Sequence, residues 1–302
     1  MKRVKWIGLF LVLMMVATAF VGCAQTPSKE EAPKTEIPQA GDQGTDTQKE
    51  DKLEGKVEII GSTSVHPLAQ DLADAFANVE PGIKVDIQAV GSTAGVVAAH
   101  EGTANIGMAS RNLKPGEKEW GLTEHVIAKD GIAVVVHPDN KIDDLSKEDI
   151  SKIFKGEIKN WKDVGGVDKE IIVISREAGS GTRGAFEDIM DLEVKKDGKK
   201  MSALKEDALI ANGSGAVKAD VLKKEHAIGY VSLGYLDDSI KGVKVDGVEP
   251  TVENVKAGKF PIARPFLMLT KGELTPQAKA YMDFVMSADG QNIVSEKFIS
   301  VK

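Results

Sequence analysis

Short apolar segments alternate with helical patterns along most of the chain, and this alternation limits the possible folds more than any other feature. KVEIIG (56–61), IKVDIQAV (83–90) and EIIVIS (170–175) are typical of strands, and the segments between such strands place apolar residues at helical spacing. Strands that alternate with helices form a mostly parallel sheet with helices on its faces. The sequence therefore predicts an α/β fold.

The alternation continues to the C-terminal end. Further strands are predicted at 104–111, 131–138, 226–233 and 265–270. Further helices are predicted over 145–156, near 182–192 and over 275–294.

The first 22 residues differ from the rest. Three basic residues precede an apolar run from Trp6 to Val21, which is typical of a signal peptide. The run ends at Cys23, the only cysteine, so the chain cannot form an internal disulfide. AFVGC resembles a bacterial lipoprotein cleavage box, although Phe20 stands where leucine is commoner. A signal peptide over 1–22 and a lipid on Cys23 are predicted; an uncleaved membrane segment is the alternative.

Residues 24–54 are polar, rich in Pro, Gly, Thr and Glu, and almost free of large apolar side chains. Such a segment cannot bury enough surface to offset its ordering entropy, so 23–54 is predicted to be a lipidated, disordered tether. Removing the signal peptide would change the net charge from −7 to −10, because it carries three basic and no acidic residues. The acidic charge and the lack of a basic tract argue against nucleic acid as a partner.

One kind of turn recurs. GSTS (61–64), GSTAG (91–95) and GSGTRG (179–184) each follow an apolar strand and precede a helix. Glycine lets the backbone approach a ligand, hydroxyls can donate outward, and a helix start offers free N–H groups with partial positive charge. In open α/β sheets these turns lie where ligands bind. The turns indicate an anion site, although each Ser or Thr taken alone could be only an N-cap.

Arginines stand beside these turns. Arg176 and Arg183 flank the third turn, and Arg111 ends the strand at MASR. The planar guanidinium group offers a fork of donors suited to an oxyanion. Arg111 and Arg176 are predicted ligands because both are at strand ends, whereas Arg183 falls within a helix and is predicted to form a surface ion pair.

Catalytic signatures are weak or missing. GSGTRG fits G-x-G-x-x-G by letter but lies mid-chain, and the sequence contains no G-x-x-x-x-G-K-[ST] or G-x-S-x-G motif. The five histidines are scattered and form no metal-binding motif. Binding without catalysis, cofactor or metal is therefore the favoured interpretation.

Seven motifs occur in an order that points to a family: GSTS, GSTAG, IGMASR, KDGIAVVV, REAGSGTRG, AIGYVSLGY and PIARPFLML. The chain resembles, over about 56–302, the phosphate-binding proteins of bacterial phosphate ABC importers in their shorter, lipoprotein form. The resemblance implies a two-lobed periplasmic-binding-protein fold of type II, which closes on one phosphate and delivers it to a membrane permease.

The same resemblance implies particular phosphate ligands. They come from the three turns: Thr63, Ser64, Ser92, Thr93, Arg176, Ser180, Gly181 and Thr182. Longer family members have an aspartate where this chain has Arg111, and that aspartate accepts the phosphate proton.

Asp130 stands where those longer members have a glycine. We hypothesise that Asp130 replaces the missing acceptor, or that it pairs with Arg111 and orients it. The alternative for Asp130 is a turn residue before Gly131, and Glu177 is a weaker candidate acceptor. A buried acceptor would favour phosphate over sulfate, which carries no proton.

Lobe boundaries follow from the resemblance and the strand pattern. The first lobe is predicted to contain 55–133 and 231–302, and the second 134–230, with crossings at GIAVVVHP and HAIGYVSL. The chain is expected to be a monomeric, extracytoplasmic, lipid-anchored phosphate receptor. Rival interpretations are a receptor for sulfate or molybdate, a secreted phosphatase, and a sensor or adhesin.

Overall fold

The computed structural model describes residues 52–196 and 199–302. The predicted signal peptide, the lipidation site Cys23 and nearly all of the tether lie outside the described residues. Among the helices that are described, none has both the length and the apolar character needed to cross a bilayer.

Strands and helices alternate through much of the chain, but the central sheet is mixed and not mostly parallel as predicted, because half of its strand pairs are antiparallel. The strands are β1 (Gly55–Gly61), β2 (Ile83–Ala89), β3 (Ile106–Ala109), β4 (Leu122–Val136), β5 (Asp144–Leu145), β6 (Ile172–Arg176), β7 (Glu193–Lys196), β8 (Lys199–Ser202), β9 (Leu209–Ala211), β10 (Ala227–Ser232), β11 (Lys241–Gly242), β12 (Lys244–Val245) and β13 (Ala263–Lys271). The helices are α1 (His66–Val79), α2 (Ser92–Glu101), α3 (Pro115–Lys118), α4 (Lys147–Lys155), α5 (Gly181–Ile189), α6 (Ser214–Lys223), α7 (Val252–Lys256), α8 (Pro276–Val285) and α9 (Ala288–Lys297).

A nine-stranded sheet forms the centre of the fold. Its order is β2-β1-β3-β13-β4-β10-β6-β9, with β11 also pairing with β4. The parallel pairs β1–β2, β1–β3, β6–β10 and β6–β9 place the carboxyl ends of these strands, and the turns that follow them, together.

Strand β4 belongs to both halves of the sheet. Over 122–131 it pairs with β13, and over 132–136 it pairs with β10. A run of 15 residues is long for a strand, and its apolar second half is fully buried, so β4 is the covalent and hydrogen-bonded link between the halves.

Two large hydrophobic clusters define the lobes. The first contains residues of 57–128 and 266–298, and the second contains residues of 132–262. Leu233, Val255 and Ile262 belong to the second cluster, so the segment after β10 packs with the second lobe. We therefore propose that the chain returns to the first lobe at Ile262–Ala263, later than residue 231.

Some local predictions need correction. The single helix expected over 275–294 is two helices, because Ser287 caps α9 by accepting a hydrogen bond from Gly290 N. The hairpin formed by β7 and β8, and the short strand β9, were not expected from the sequence. Leu209 and Ile210 in β9 are 40% and 50% exposed, so β9 lacks the continuous apolar run that predicts a buried strand.

Helix α2 lies unusually close to the sheet. A Cβ atom on Gly95 would be 2.5 Å from Met108 O and 2.7 Å from Ile60 O, and one on Gly107 would be 2.2 Å from Gly95 O. Only glycine permits this approach, which fixes the position of the α2 N-terminus and of Ser92.

We expect Gly95→Ala to lower the free energy of unfolding by about 1–3 kcal/mol, because the methyl group pushes α2 away from backbone atoms that cannot move aside. Urea unfolding would measure the change. Gly116→Ala is the matched control, because Gly116 is also helical but its added Cβ would meet no atom within 4 Å. Equal stability of the two variants would contradict the close packing of α2.

Candidate functional site

Turns from the two lobes meet through their hydroxyl groups. Ser64 Oγ lies 2.7 Å from Thr182 Oγ1 and 2.9 Å from Ser214 Oγ. Thr63 Oγ1 accepts a hydrogen bond of 3.0 Å from Arg176 Nη2. The first and third predicted turns are thus brought together, in an arrangement where the lobes are in contact.

The second turn joins the same site. Ser92 Oγ accepts a hydrogen bond from Ser110 N at 3.1 Å and lies 3.3 Å from Ser110 Oγ. Ser62 Oγ donates to Ser110 Oγ at 2.9 Å and accepts from Ser64 N. The seven residues linked in this way are called the hydroxyl cluster: Ser62, Thr63, Ser64, Ser92, Ser110, Thr182 and Ser214.

Two further contacts press the second and third turns together. Thr93 N donates to Gly179 O at 3.1 Å. Gly181 is so close to the first lobe that an added Cβ would be 2.1 Å from Ser92 Oγ. Ser180, the remaining predicted residue of the third turn, is buried and caps α5, since its Oγ accepts from Arg183 N.

Ser214 belongs to a fourth turn that sequence reasoning missed. NGSGAV (212–217) follows β9 and precedes α6, and it has the same glycine and hydroxyl chemistry as the other three turns. Gly213 has a φ of 98°, which favours glycine, and Ser214 is fully buried. Its Gly-Ser pair repeats the pattern of the other turns and could have predicted it. The short strand before it, however, lacks the apolar run that precedes the other three.

Three helices of nine or ten residues begin at the hydroxyl cluster: α2, α5 and α6. Their first N–H groups have no partner within the helix, and each helix start carries partial positive charge. The cluster therefore combines hydroxyl donors with the positive ends of three helix dipoles.

Arg176 lies in the cluster and is almost completely buried, at 1% exposure. Its guanidinium donates to Thr63 Oγ1, to Ser214 Oγ at 3.1 Å and twice to the Glu177 carboxylate, at 2.8 and 2.7 Å. Glu177 also accepts from Gly213 N. Burial raises the pKa of Glu177, but the hydrogen bonds and charge of Arg176, together with backbone hydrogen bonds that include Gly213 N, outweigh it and leave the pKa below its usual value.

Arg111 lies at the edge of the cluster and is held by Glu117. Two hydrogen bonds of 2.7 and 2.9 Å join its guanidinium to that carboxylate, and both residues are buried. Its contact with the predicted ligands is a 3.4 Å hydrogen bond to Thr93 Oγ1. Burial raises the pKa of Glu117, and the stronger opposite effect of Arg111 and Lys114 N leaves it lowered.

Asp130 is fully buried and does not pair with Arg111 as hypothesised. Its Oδ2 accepts from Arg264 Nε and Nη2, and its Oδ1 accepts from Ser232 Oγ and Leu233 N. Burial raises the pKa of the Asp130 carboxyl, and contact with Arg264 acts against that rise. Because four protein donors already occupy both oxygens, the geometry does not support Asp130 as a proton acceptor for a ligand.

The arrangement suits a small tetrahedral oxyanion. Several hydroxyls, helix N–H groups and one arginine converge, and hydroxyl groups can both donate to and accept from a ligand. Within 52–196 and 199–302, no three His, Cys, Asp or Glu side chains are grouped so that they could hold a metal ion.

Comparison with known proteins identifies relatives along nearly the whole chain. The family model described as "PBP superfamily domain" matches residues 39–289. Phosphate-binding protein PstS of Bacillus subtilis (strain 168) is 33% identical over 288 residues, which cover 94% of this chain and 91% of that protein. Phosphate-binding protein PstS of Borreliella burgdorferi is 31% identical over 82% of this chain and 90% of its own length.

Solved structures agree. A protein from Clostridium perfringens that was solved with bound phosphate is 46% identical, with a TM-score of 0.78, over 82% of this chain and all of that one. An ABC-type phosphate transport receptor from Vibrio cholerae is 35% identical, with a TM-score of 0.68 and the same coverage. The predicted two-lobed α/β fold and the predicted family are confirmed.

The lowered pKa of Glu117 predicts a pH-dependent stability difference. Its pairing stabilises the fold above the unfolded-state pKa, about 4.3, and is lost as pH falls through the lower folded-state pKa. At pH 7 we expect Glu117→Gln to cost on the order of 3 kcal/mol, because Arg111 stays buried without its partner. Urea unfolding from pH 7 to pH 3 should show the cost shrinking below about pH 4.

Glu119→Gln is the control for this experiment, since Glu119 is exposed on the same short segment. A cost for Glu117→Gln that stays constant across the pH range would contradict an ionised pair.

Proposed function

The chain belongs to the PBP superfamily and, within it, to the phosphate-binding proteins, and on this basis we propose that it captures inorganic phosphate outside the cytoplasm and delivers it to an ABC importer. The observation that carries the proposal is the hydroxyl cluster. Serines and threonines of both lobes meet Arg176 there, so an anion bound in this place would contact both lobes at once.

Phosphate would exchange the hydrogen bonds that the cluster makes within itself for bonds to its own oxygens. Thr63, Ser64 and Ser92 would contact it from the first lobe, with Thr93 beside them. Arg176, Ser180, Gly181, Thr182 and the newly recognised Ser214 would contact it from the second lobe. The charge of the ligand is then spread over hydroxyls and helix N–H groups.

The two remaining predicted ligands have different roles in this proposal. Arg111 supports the ligand indirectly, because it is held by Glu117 and donates a hydrogen bond to Thr93 Oγ1. Asp130 lies behind the cluster and is not a direct ligand. Glu177, the weaker candidate acceptor, holds Arg176 in place.

The phosphate proton therefore needs another acceptor, and the cluster supplies one. A serine or threonine hydroxyl can accept that proton in a hydrogen bond while donating its own hydrogen to a neighbour. Sulfate has no proton to give, so one hydroxyl oxygen would remain unpaired in a desolvated site.

The proposed delivery to a permease depends on closure of the two lobes around the ligand. Ligand contacts on both lobes favour the closed arrangement, and a partner can then recognise the relative positions of the two lobes. We place the chain outside the cytoplasm as a monomer held by a lipid on Cys23, with 24–54 as the tether. A phosphatase is the less favoured alternative, because among the described residues no His, Asp or Glu side chain accepts a hydrogen bond from a hydroxyl of the cluster.

Calorimetric titration tests the ligand. The titration uses residues 50–302, whose described part forms one compact unit, after bound ligand has been removed by unfolding and refolding. We expect tight one-to-one binding of phosphate at neutral pH and no heat with sulfate. Equal binding of both anions, or binding of sulfate or molybdate alone, would assign the site to another oxyanion.

Gly181→Ala tests whether closure of the lobes is needed. The new methyl group would overlap Ser92 Oγ at 2.1 Å and Ser110 Oγ at 2.7 Å, both in the first lobe, so we expect phosphate affinity to fall at least about ten-fold, or roughly 1.4 kcal/mol. Gly184→Ala is the matched control on the same helix, because its Cβ would be 3.4 Å from Arg111 Cδ. Equal affinities for the two variants would argue that phosphate does not require this close approach.

A further inference from the structure

Asp130 and Arg264 face each other at the point where β4 changes its partner strand. The two residues are register neighbours in the β4–β13 pair, and β13 begins one residue earlier, at Ala263. Two residues further along β4, Ile132 pairs with Ser232 at the end of β10. The ion pair therefore occupies the junction between the two lobes.

The Asp130 carboxylate binds groups on both sides of this junction. Arg264 Nε and Nη2 donate to Oδ2 at 3.0 and 2.8 Å. Ser232 Oγ and Leu233 N donate to Oδ1 at 3.0 and 3.2 Å. Since Leu233 packs in the second hydrophobic cluster, one oxygen faces the second lobe and the other faces β13 of the first.

Arg264 extends the connection to the hydroxyl cluster. Its Nη1 donates to Ser110 O at 3.1 Å. The hydroxyl of the same serine contacts Ser62 Oγ and Ser92 Oγ, and its N–H donates to Ser92 Oγ. A continuous series of hydrogen bonds thus runs from the lobe junction to the second predicted turn.

This pair is difficult to explain by stability alone. Asp130 is 0% exposed and Arg264 4%, so both charges lie out of water. A buried ion pair is often no more stabilising than apolar side chains of similar volume, because desolvation offsets the attraction. Such a pair does fix the relative orientation of its two side chains, because a guanidinium and a carboxylate form hydrogen bonds only in defined geometries.

We propose that Asp130 and Arg264 are positioning residues for the anion site, which fix the angle at which β4 passes between the lobes and hold Ser110 in place behind Ser62 and Ser92. The inference rests on the proposed function, because the site that they position is the phosphate site. The hydrogen-bond donors of the first lobe are then correctly placed only when the junction has the geometry described above.

The test compares phosphate affinity with thermal stability in residues 50–302. In the double variant Asp130→Leu/Arg264→Met, apolar side chains of similar size replace the pair, so we expect a melting temperature close to that of the wild type but phosphate binding at least about ten-fold weaker. Arg264→Lys keeps the positive charge but loses the planar guanidinium group with its several donors. Its phosphate affinity should lie between that of the wild type and that of the double variant. The control Asp71→Asn/Lys297→Gln removes an exposed ion pair between α1 and α9 and should leave affinity unchanged.

A folded double variant that binds phosphate as tightly as the wild type would overturn the inference. If the double variant does not fold, Ser232→Ala and Arg264→Lys decide, since each removes only part of the network, and wild-type affinity in both would overturn it. If the wild type itself binds no phosphate, the proposed function fails separately. The inference is then judged by X-ray scattering without ligand, where an unchanged radius of gyration in the variants contradicts a role in lobe geometry.

Discussion

A buried arginine needs a carboxylate, and this requirement shapes the surroundings of the hydroxyl cluster. Arg111, Arg176 and Arg264 are all buried there, and each forms two hydrogen bonds with one acidic side chain. Each pair is close to neutral as a unit. The arginines can therefore stand near one another, and their guanidinium groups keep fixed directions that a free, solvated cation would not have.

An anion that enters such a site meets little net positive charge. Most of its stabilisation has to come from hydroxyl groups and from the starts of α2, α5 and α6, whose dipoles are fixed by the fold. This explains how a strongly acidic chain can hold an anion, because the local arrangement of dipoles counts for more than the total charge. In the proposed function this separates two tasks, since the carboxylates orient the arginines and the hydroxyls would contact the ligand.

Sequence reasoning succeeded where the signal was local. Strand ends followed by glycine and hydroxyl residues predicted three of the four turns, and the alternation of elements predicted the fold. Ser214 was missed because β9 has only three residues and is largely exposed. The partner of Asp130 could not be inferred, since Arg264 is 134 residues away and adjacent only through strand pairing. Glu117 could have been predicted as the partner of Arg111, because an acidic residue six positions after Arg111 at a helix start is a local pattern.

The pairing of β4 with strands of both lobes restricts how the lobes can move. Because its backbone is hydrogen-bonded to β13 along its first ten residues and to β10 along its last five, neither lobe can slide along it without breaking a ladder. The remaining freedom is a change of twist at the single peptide step between the two ladders. Any change in the angle between the lobes is therefore concentrated beside Asp130 and Arg264, where the β4–β13 ladder ends.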